Sequence, residues 1–475
     1  MKWCFLISNF QFLPEFLGKL SKQILENGDE ILVVFGSKIA EYDKKKFFPE
    51  GVKFISMIDW QIDNYRQDKN NFYGLLWRDF FPVIDRSPFL KINSERAIDI
   101  TSRIVRFFEF IFEKEKPDIV VSEPPSALFS LIAYNFCQSN GALYLGLEYS
   151  RASNKIDVYD NKFTCSKYEK IFNEISSQKI TEEEKKSARE FIKKFISHEQ
   201  LPSYMDFTKI HFSQTGLMKH FLQRIKKVYF SLSKYISSRS KYKSFDIESE
   251  SIIWSFVRAL ITAEKRKIKT LLQKKFYTTF SIKEKYFFYP LHQQPESSTS
   301  VYATYYCNQL GTVKNISLSI PFPYKLYVKE HPVSLGTRSN EFYKELKKIP
   351  NVVLISPNEN IENLVKHSLG VITLTSTVGM EAVLSGKPVY VFGDVFYSYH
   401  PLCRRIKNFE ELEIKIKNDL VNMKIPNDIE DINIRFIISY FRNILPGGLV
   451  IAGEQNDTND YRLIHKSLLK LLTEK

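Results

Sequence analysis

The chain has 475 residues, with 68 Lys or Arg against 54 Asp or Glu, so its formal net charge is +14. A composition of 44% hydrophobic and 26% charged residues is typical of a globular protein and excludes fibrous and disordered classes. The length predicts two or three domains. The basic charge favours an anionic partner: a nucleotide, an acidic sugar, an anionic lipid or nucleic acid.

The cysteines are few and dispersed, and no two of them form a CxxC pair. This pattern predicts free thiols in a reducing compartment, and the scattered histidines and cysteines predict no metal site. No apolar run approaches the ~18 residues that span a bilayer, and no small-residue cleavage site follows the first residues. We therefore expect a cytoplasmic protein, with a peripheral position on the inner face of the cell membrane as an option.

The first 160 residues alternate between short apolar runs and helical patterns. The predicted strands are 2–8, 30–35, 118–122 and 142–147. Strands separated by helices are typical of a parallel sheet. Residues 1–160 are therefore predicted to form a Rossmann-like domain, with a less regular aromatic stretch at about 60–95.

Residues 161–280 are predicted to be mainly helical and basic. Thr181 and Glu184 form a capping box that opens a helix running to about Ser197. Between Leu217 and Phe245, apolar residues recur at helical spacing among eight Lys or Arg and no acid. This amphipathic segment is interpreted either as a solvated basic face or as a contact with an anionic membrane surface; nucleic acid is a weaker alternative.

Residues 281–475 return to an α/β pattern and end in helices. The predicted strands are 285–289, 324–329, 352–355, 371–375 and 388–392. The chain as a whole is thus predicted to be α/β and GT-B-like, with two Rossmann-like domains facing a cleft and a helical insertion between them. Such a fold alone is a weak argument for function, which depends on the motifs.

One motif is a strand end, Thr375-Ser376-Thr377, followed by a helix that begins near Gly379. Hydroxyl groups and free backbone N–H groups at a helix start predict a phosphate site. We expect Gly379 to let a ligand approach closely and Glu381 to reach ribose hydroxyls. The alternative is an ordinary helix cap followed by a solvated acid.

A second motif, Lys329 to Pro332 (KEHP), directly follows a predicted strand. Pro332 restricts His331 to an extended backbone, from which the imidazole can donate to a phosphate oxygen while Lys329 adds charge. About forty residues separate this motif from Thr375, and this spacing suggests two neighbouring loops of one sheet.

A third motif follows the first strand of the C-terminal domain. It is a loop carrying His292, Gln293, Gln294 and Glu296. The first three are candidate substrate-binding residues. Glu296 could serve as a general base or nucleophile, the alternative being a turn in which Pro-Glu initiates a helix.

The N-terminal domain offers three further candidates at predicted strand ends: Glu123, Glu148 and Arg151. Either glutamate could activate an acceptor hydroxyl, and the Arg151 guanidinium could bind the carboxylate of an acidic sugar. The alternative for all three is a local salt bridge within a loop.

These motifs resemble those of bacterial capsule and surface polysaccharide biosynthesis proteins, in particular the GT-B β-Kdo transferases of capsule export. The resemblance rests on KEHP (329–332), TSTVGMEAVLSGKPV (375–389), GDVFY (393–397) and PLHQQPESS (290–298). The His-Pro and Ser/Thr motifs are also similar to those of CMP-sialic-acid transferases. The chain differs from the capsule transferases in carrying one transferase-like unit rather than two, and QQPE where some relatives carry another acidic motif.

The resemblance implies a glycosyltransferase whose donor substrate is a CMP-activated 2-keto sugar acid such as Kdo, held by His331, Ser376 and Thr377. No other cofactor and no metal are implied. The acceptor is expected to be a glycan, on a surface polysaccharide or a lipid, with Glu296 the first candidate for the catalytic carboxylate. A CDP-glycerol-type glycerophosphotransferase is the alternative enzyme, and a non-catalytic polyanion-binding scaffold is the alternative from another class. No nucleic-acid-binding signature supports a nucleic-acid partner.

Overall fold

The computed structural model describes residues 1–8, 13–64, 75–80, 93–162, 164–175, 180–199, 242, 245–246, 265–449 and 457–473. Apart from Tyr242 and Phe245, the predicted basic segment at 217–245 lies outside the described residues, as does much of the aromatic stretch at 60–95. The described residues form two compact units. The first unit contains residues of 1–162 and 443–473, and the second contains residues of 164–199 and 265–442.

The strands are β1 (Lys2–Ile7), β2 (Glu30–Phe35), β3 (Lys53–Ser56), β4 (Ile119–Ser122), β5 (Leu143–Tyr149), β6 (Lys155–Tyr159), β7 (Tyr286–Pro290), β8 (Lys325–Lys329), β9 (Val352–Ile355), β10 (Gly370–Thr373), β11 (Val389–Val391), β12 (Cys403–Arg405) and β13 (Leu445–Pro446). The α-helices are α1 (Leu13–Glu26), α2 (Lys38–Lys44), α3 (Met57–Asp63), α4 (Ser94–Phe110), α5 (Leu128–Asn140), α6 (Ser166–Glu174), α7 (Glu182–Ile196), α8 (Ser297–Ser300), α9 (Gln309–Leu318), α10 (Asn340–Lys347), α11 (Ile361–His367), α12 (Val378–Leu384), α13 (Phe409–Asn422), α14 (Ile429–Phe441) and α15 (Tyr461–Thr473).

The first unit is built on a seven-stranded sheet in the order β13-β6-β5-β4-β1-β2-β3. Strands β5, β4, β1, β2 and β3 are parallel, whereas β6 and β13 add an antiparallel edge. The central strands are apolar throughout because both sheet faces are covered by helices. Trp3 and Phe5 of β1, for example, are fully buried. The predicted Rossmann-like pattern is confirmed here, and β3, β6 and β13 are additions that the sequence pattern did not predict.

The second unit is built on a six-stranded parallel sheet in the order β12-β11-β10-β7-β8-β9. Aromatic residues fill much of its core, and the rings of Tyr286 and Tyr327 stack with their centroids 3.9 Å apart on the adjacent strands β7 and β8. The α/β fold class with two Rossmann-like sheets is therefore confirmed. The predicted capping box is also present, since the Thr181 hydroxyl accepts from the Glu184 N–H at the start of α7.

The two units do not follow the predicted division of the chain into contiguous segments. Residues 443–473 belong to the first unit, because β13 pairs with β6 and the side chains of Ile464 and Leu468 on α15 are buried in its core. Helices α6 and α7, predicted as part of a separate helical region, pack against α14 in the second unit. Apolar periodicity shows that a helix has a buried face and leaves open which sheet covers it.

Two further features concern the helices and the cysteines. Among the described residues, no helix combines the length and the apolar character needed to cross a membrane. All five cysteines are described, and no disulfide joins any two of them.

Candidate functional site

Three loops that carry predicted site residues meet at the carboxyl edge of the second sheet. They are residues 291–296 after β7, residues 330–332 after β8 and residues 374–379 after β10. These three loops together with Lys329 are here called the edge cluster. Strands β10, β7 and β8 are parallel neighbours in that order, so their following loops lie at one edge. The predicted adjacency of the His331 and Thr375 loops is wrong in detail, since β7 and its His292 loop lie between them.

His292 links this middle loop to the loop after β10. It is 5% exposed, and its Nε2 accepts from the Thr375 N–H at 3.1 Å. Burial lowers the pKa of His292 to about 3, assisted by the charges of His331 and Arg338. The ring is therefore neutral at neutral pH and carries its proton on Nδ1. That nitrogen is buried and has no hydrogen-bond partner among the described residues.

His331 has the extended backbone that Pro332 was predicted to impose, with φ −68° and ψ 130°. Its Nδ1 accepts from the Val333 N–H at 3.2 Å, which places the proton of the neutral ring on Nε2. Burial and the nearby charges of Lys329 and Arg338 lower the pKa of His331 to about 4. The imidazole is therefore set as a neutral N–H donor.

A buried ion pair that the sequence did not indicate holds these loops together. The carboxylate of Glu330, whose side chain is 0% exposed, accepts from Arg338 Nε at 2.8 Å, from the Tyr343 hydroxyl at 2.6 Å and from the His331 N–H at 2.7 Å. Arg338 also donates through Nη2 to the His292 carbonyl oxygen at 2.5 Å. The pair therefore fixes the His292 and His331 loops to each other.

Lys329 is the cation of the edge cluster. The residue is 5% exposed, and its ammonium group has no ion-pair or hydrogen-bond partner among the described residues. Burial lowers the pKa of Lys329, while the carboxylates of Glu359, Glu381 and Glu330 oppose that shift. A mostly buried lysine whose ammonium has no direct partner among the described residues is available to an anionic ligand.

The turn after β10 was predicted to present several free backbone N–H groups, and most of these groups are already hydrogen-bonded. Within the described residues, acceptors are already present for the N–H groups of Thr375, Ser376, Val378 and Gly379. The N–H group of Thr377 has none there, and the Ser376 hydroxyl accepts from Val378. The turn thus offers side-chain hydroxyls and one N–H rather than a full nest of donors.

Gly379 was predicted to make room for a ligand, and the structure gives a different reason for this glycine. A Cβ atom there would stand 2.1 Å from the hydroxyl oxygen of Tyr397. That hydroxyl donates to the Ser376 carbonyl oxygen at 2.5 Å. The space beside Gly379 is therefore filled by a side chain of the same unit, which holds the turn in place.

Glu381 on α12 contacts His198, a residue that sequence analysis did not single out. His198 Nε2 lies 3.2 Å from Glu381 Oε2, an ion-pair contact, and His198 follows α7 with φ +56°. The contact with Glu381 raises the pKa of His198, while burial and, to a smaller extent, the charge of Lys329 oppose this. No sequence pattern signals such a pair, because almost two hundred residues separate its members.

The His198–Glu381 contact predicts a pH-dependent stability. Because the folded-state pKa of His198 is raised, the contribution is fully present below the unfolded-state pKa and is lost as pH rises through the folded-state pKa. Replacing His198 by Asn should therefore cost up to about 1 kcal/mol near pH 5.5 and almost nothing near pH 9. Urea unfolding of both proteins at the two pH values measures this. An equal difference at both would contradict the pairing.

The predicted catalytic residue Glu296 is exposed at the N-cap position of α8, and its carboxylate accepts from the Ser298 hydroxyl at 2.7 Å. This is the helix-initiating turn that the sequence offered as the alternative, so a catalytic role for Glu296 stays a prediction. Gln294 donates to the Cys307 carbonyl oxygen, and Gln293 is partly buried in the same loop.

The other candidates belong to the first unit. Arg151, 4% exposed, donates to Asp157 Oδ2 at 2.7 Å and to the Tyr159 hydroxyl at 2.8 Å, so it serves an internal ion pair. Glu148 lies within β5 rather than after it, opposite Asp157. Glu123 does follow β4; it is buried and accepts from the Ser126 hydroxyl at 2.7 Å.

A metal site was not predicted from the sequence. In the part of the chain that the structure describes, no group of three or more His, Cys, Asp or Glu side chains is arranged to hold a metal ion.

The fold and the edge cluster define an α/β protein with polar loops at the carboxyl edge of a parallel sheet, the place where such sheets bind ligands. Residues 221–410 match the family model described as capsule polysaccharide biosynthesis protein. The match spans two fifths of the chain and includes the whole edge cluster. It confirms, for this part of the chain, the resemblance inferred from the motifs.

No curated protein sequence matches the chain significantly. Similar solved structures include two from Thermosulfurimonas dismutans KpsC. The β-Kdo 2,4 transferase is 14% identical, with 74% of this chain and 88% of that chain covered and a TM-score of 0.38. The β-Kdo 2,7 transferase is 13% identical, with 84% and 98% covered and a TM-score of 0.36. A Neisseria meningitidis UDP-GlcNAc 2-epimerase is 12% identical over the whole of both chains, with a TM-score of 0.29.

Proposed function

We propose that the protein is a glycosyltransferase of capsule polysaccharide biosynthesis that uses a nucleotide-activated sugar. The observation that carries the proposal is the edge cluster itself. It brings the neutral imidazoles of His292 and His331, the Lys329 ammonium and the hydroxyls of the Ser376 turn to one sheet edge, within the residues that match the capsule family. Positive charge with N–H and hydroxyl donors is the chemistry that binds a phosphate group.

The donor most compatible with the motifs is a CMP-activated 2-keto sugar acid such as Kdo. In the transfer, an acceptor hydroxyl oxygen forms a bond to the anomeric carbon while the bond from that carbon to the phosphate oxygen breaks. The phosphate leaves with the electron pair, and Lys329 and His331 stabilise its developing charge. The acceptor proton passes to a carboxylate, for which Glu296, Glu123 and Glu148 are the candidates.

The acceptor is proposed to be a growing surface polysaccharide or a lipid-linked glycan. A panel of CMP-, CDP- and UDP-activated donors, with nucleotide release measured, tests the donor assignment. CMP released only from a keto-acid donor supports it. CMP released from CDP-glycerol would instead identify a glycerophosphotransferase, and tight polyanion binding without any release would identify a scaffold.

Two substitutions should separate binding from turnover. His331→Ala removes an N–H donor to a charged phosphate and should weaken nucleotide binding by about tenfold or more. Glu296→Gln should abolish turnover and leave nucleotide binding unchanged, because the amide keeps the shape of the side chain but accepts no proton. Calorimetric titration with CMP and a nucleotide-release assay measure the two effects.

Glu123→Gln and Glu148→Gln are the matched comparisons. Normal turnover in Glu296→Gln, with loss in one of the other two, would transfer the catalytic role to that residue. Nucleotide binding unaffected by His331→Ala would remove His331 from the donor site.

A further inference from the structure

An apolar stripe faces outward on the helical residues 265–273, here called the lysine-flanked helix. Ile268, Leu271 and Leu272 are 61%, 62% and 57% exposed. Their spacing of i, i+3 and i+4 places them on one face of the helix. Contiguous exposed apolar side chains of this kind mark an interaction surface rather than an ordinary solvated helix.

Positive charge surrounds this stripe. Residues 265–283 contain seven Lys or Arg, of which Arg266 faces inward, and the acids Glu264 and Glu284 lie just outside this range. At about 100° per residue, Lys265 and Lys269 fall on one side of the stripe and Lys267 on the other. Lys269 also donates to the Thr337 carbonyl oxygen at 3.1 Å. Lys274 and Lys275 continue the exposed positive surface just beyond the helix.

The polar face of the same helix points inward. Arg266 donates through Nε to the Leu335 carbonyl oxygen at 2.5 Å and also bonds the Val333 carbonyl oxygen. Gln273 donates to the Arg338 carbonyl oxygen at 2.9 Å. These hydrogen bonds fix the helix with its apolar stripe turned outward. A helix that packs on a hydrophobic core has the opposite orientation, with its apolar face turned inward.

We propose that the lysine-flanked helix docks on an anionic lipid membrane, lying in the plane of the interface. The apolar side chains would enter the headgroup region while the lysines beside them contact lipid phosphates and carboxylates, their stems lying along the apolar surface. Charge complementarity selects this partner. Helix α13 also exposes apolar residues, Ile414 and Val421, but it carries acids in its first turn and would be repelled by the same surface.

Docking would place the edge cluster near the membrane, because the lysine-flanked helix bonds the segment 333–340 that supplies Arg338. The inference does not depend on the proposed function, since membrane binding is measured without substrate.

The test is co-sedimentation of the full chain with vesicles of phosphatidylcholine, with or without about 30% phosphatidylserine. The wild-type protein should bind the anionic vesicles only, and binding should weaken as salt is raised. K265Q/K274Q/K275Q should bind about 100-fold more weakly, at about fivefold for each lysine. I268N/L271N should lose at least about tenfold through the apolar contribution.

The matched controls are K344Q/K347Q, exposed lysines on α10, and I414N/V421N on α13, all of which should bind as the wild type does. Unchanged binding in both helix variants would overturn the proposal and leave the 217–245 segment as the membrane contact. Equal binding to neutral vesicles, equal losses in the controls, or no binding by the wild type would also overturn it. Lipid-free oligomers that I268N/L271N dissociates would show that a second copy covers the stripe.

Discussion

Replacing Arg338 by Met should lower the free energy of unfolding by about 3–5 kcal/mol, the cost of leaving a buried charge without its partner. The Glu330 carboxylate is fully buried and has Arg338 as its ion-pair partner at 2.8 Å. The substitution also removes the hydrogen bond to the His292 carbonyl oxygen. Urea unfolding followed by circular dichroism and tyrosine fluorescence measures the loss.

Two comparisons make this result specific. Lys348→Met removes an exposed, solvent-screened pair with Glu345 and should leave the free energy of unfolding almost unchanged. Glu330→Gln/Arg338→Met removes both charges while keeping an oxygen acceptor, and should recover much of the stability lost in Arg338→Met. If the double variant were less stable than Arg338→Met by a further 3 kcal/mol or so, the charge explanation would fail.

Replacing Lys329 by Met should change stability and activity in opposite directions. The ligand-free protein should become slightly more stable, because burial already disfavours the charged form of Lys329, whose pKa it lowers, and an apolar side chain of similar length replaces it. If Lys329 stabilises the leaving phosphate, transfer should fall by about 10²-fold or more. Urea unfolding and the kcat/KM for nucleotide release are the two measurements.

Lys387→Met is the control for this substitution. Lys387 is also partly buried, and burial lowers its pKa. Unlike Lys329, it donates to the Ser368 carbonyl oxygen at 2.9 Å, and these two residues precede strands β11 and β10, at the edge of the sheet opposite the edge cluster. It should lose a little stability and retain full transfer activity. Lost activity in both variants would point to a general effect of removing positive charge, and full activity in Lys329→Met would exclude Lys329 from the site.

Five of the six strands of the second unit, all but the short edge strand β12, could be predicted because the pattern of each is local. An apolar run such as Tyr286–Pro290 followed by a polar loop defines a strand end, and parallel strands bring such ends to one edge. The order of strands is not local, so the sequence suggested that the His331 and Thr375 loops were neighbours when β7 separates them.

The contacts that set the chemistry of the site could not be predicted. Arg338 and His198 are ordinary loop residues in the sequence, and Glu330 lies in the KEHP motif without a predicted role. Their roles come from partners that only the folded chain brings near. Gly379 was assigned to a ligand because a glycine shows only that space is needed, and the structure shows that Tyr397 fills it.

The chain returns to the first unit after residue 442, and this has a consequence for folding during translation. The edge strand β13 and the buried residues of α15 are the last parts of the first unit to be made. Residues of the second unit, ending at 442, all leave the ribosome earlier. The usual order in which an N-terminal domain completes first during translation is therefore reversed. Until β13 and α15 have been made, the outer edge of β6 is unpaired and the core surface that α15 buries is uncovered, so we expect the first unit to be most prone to misassembly in that interval.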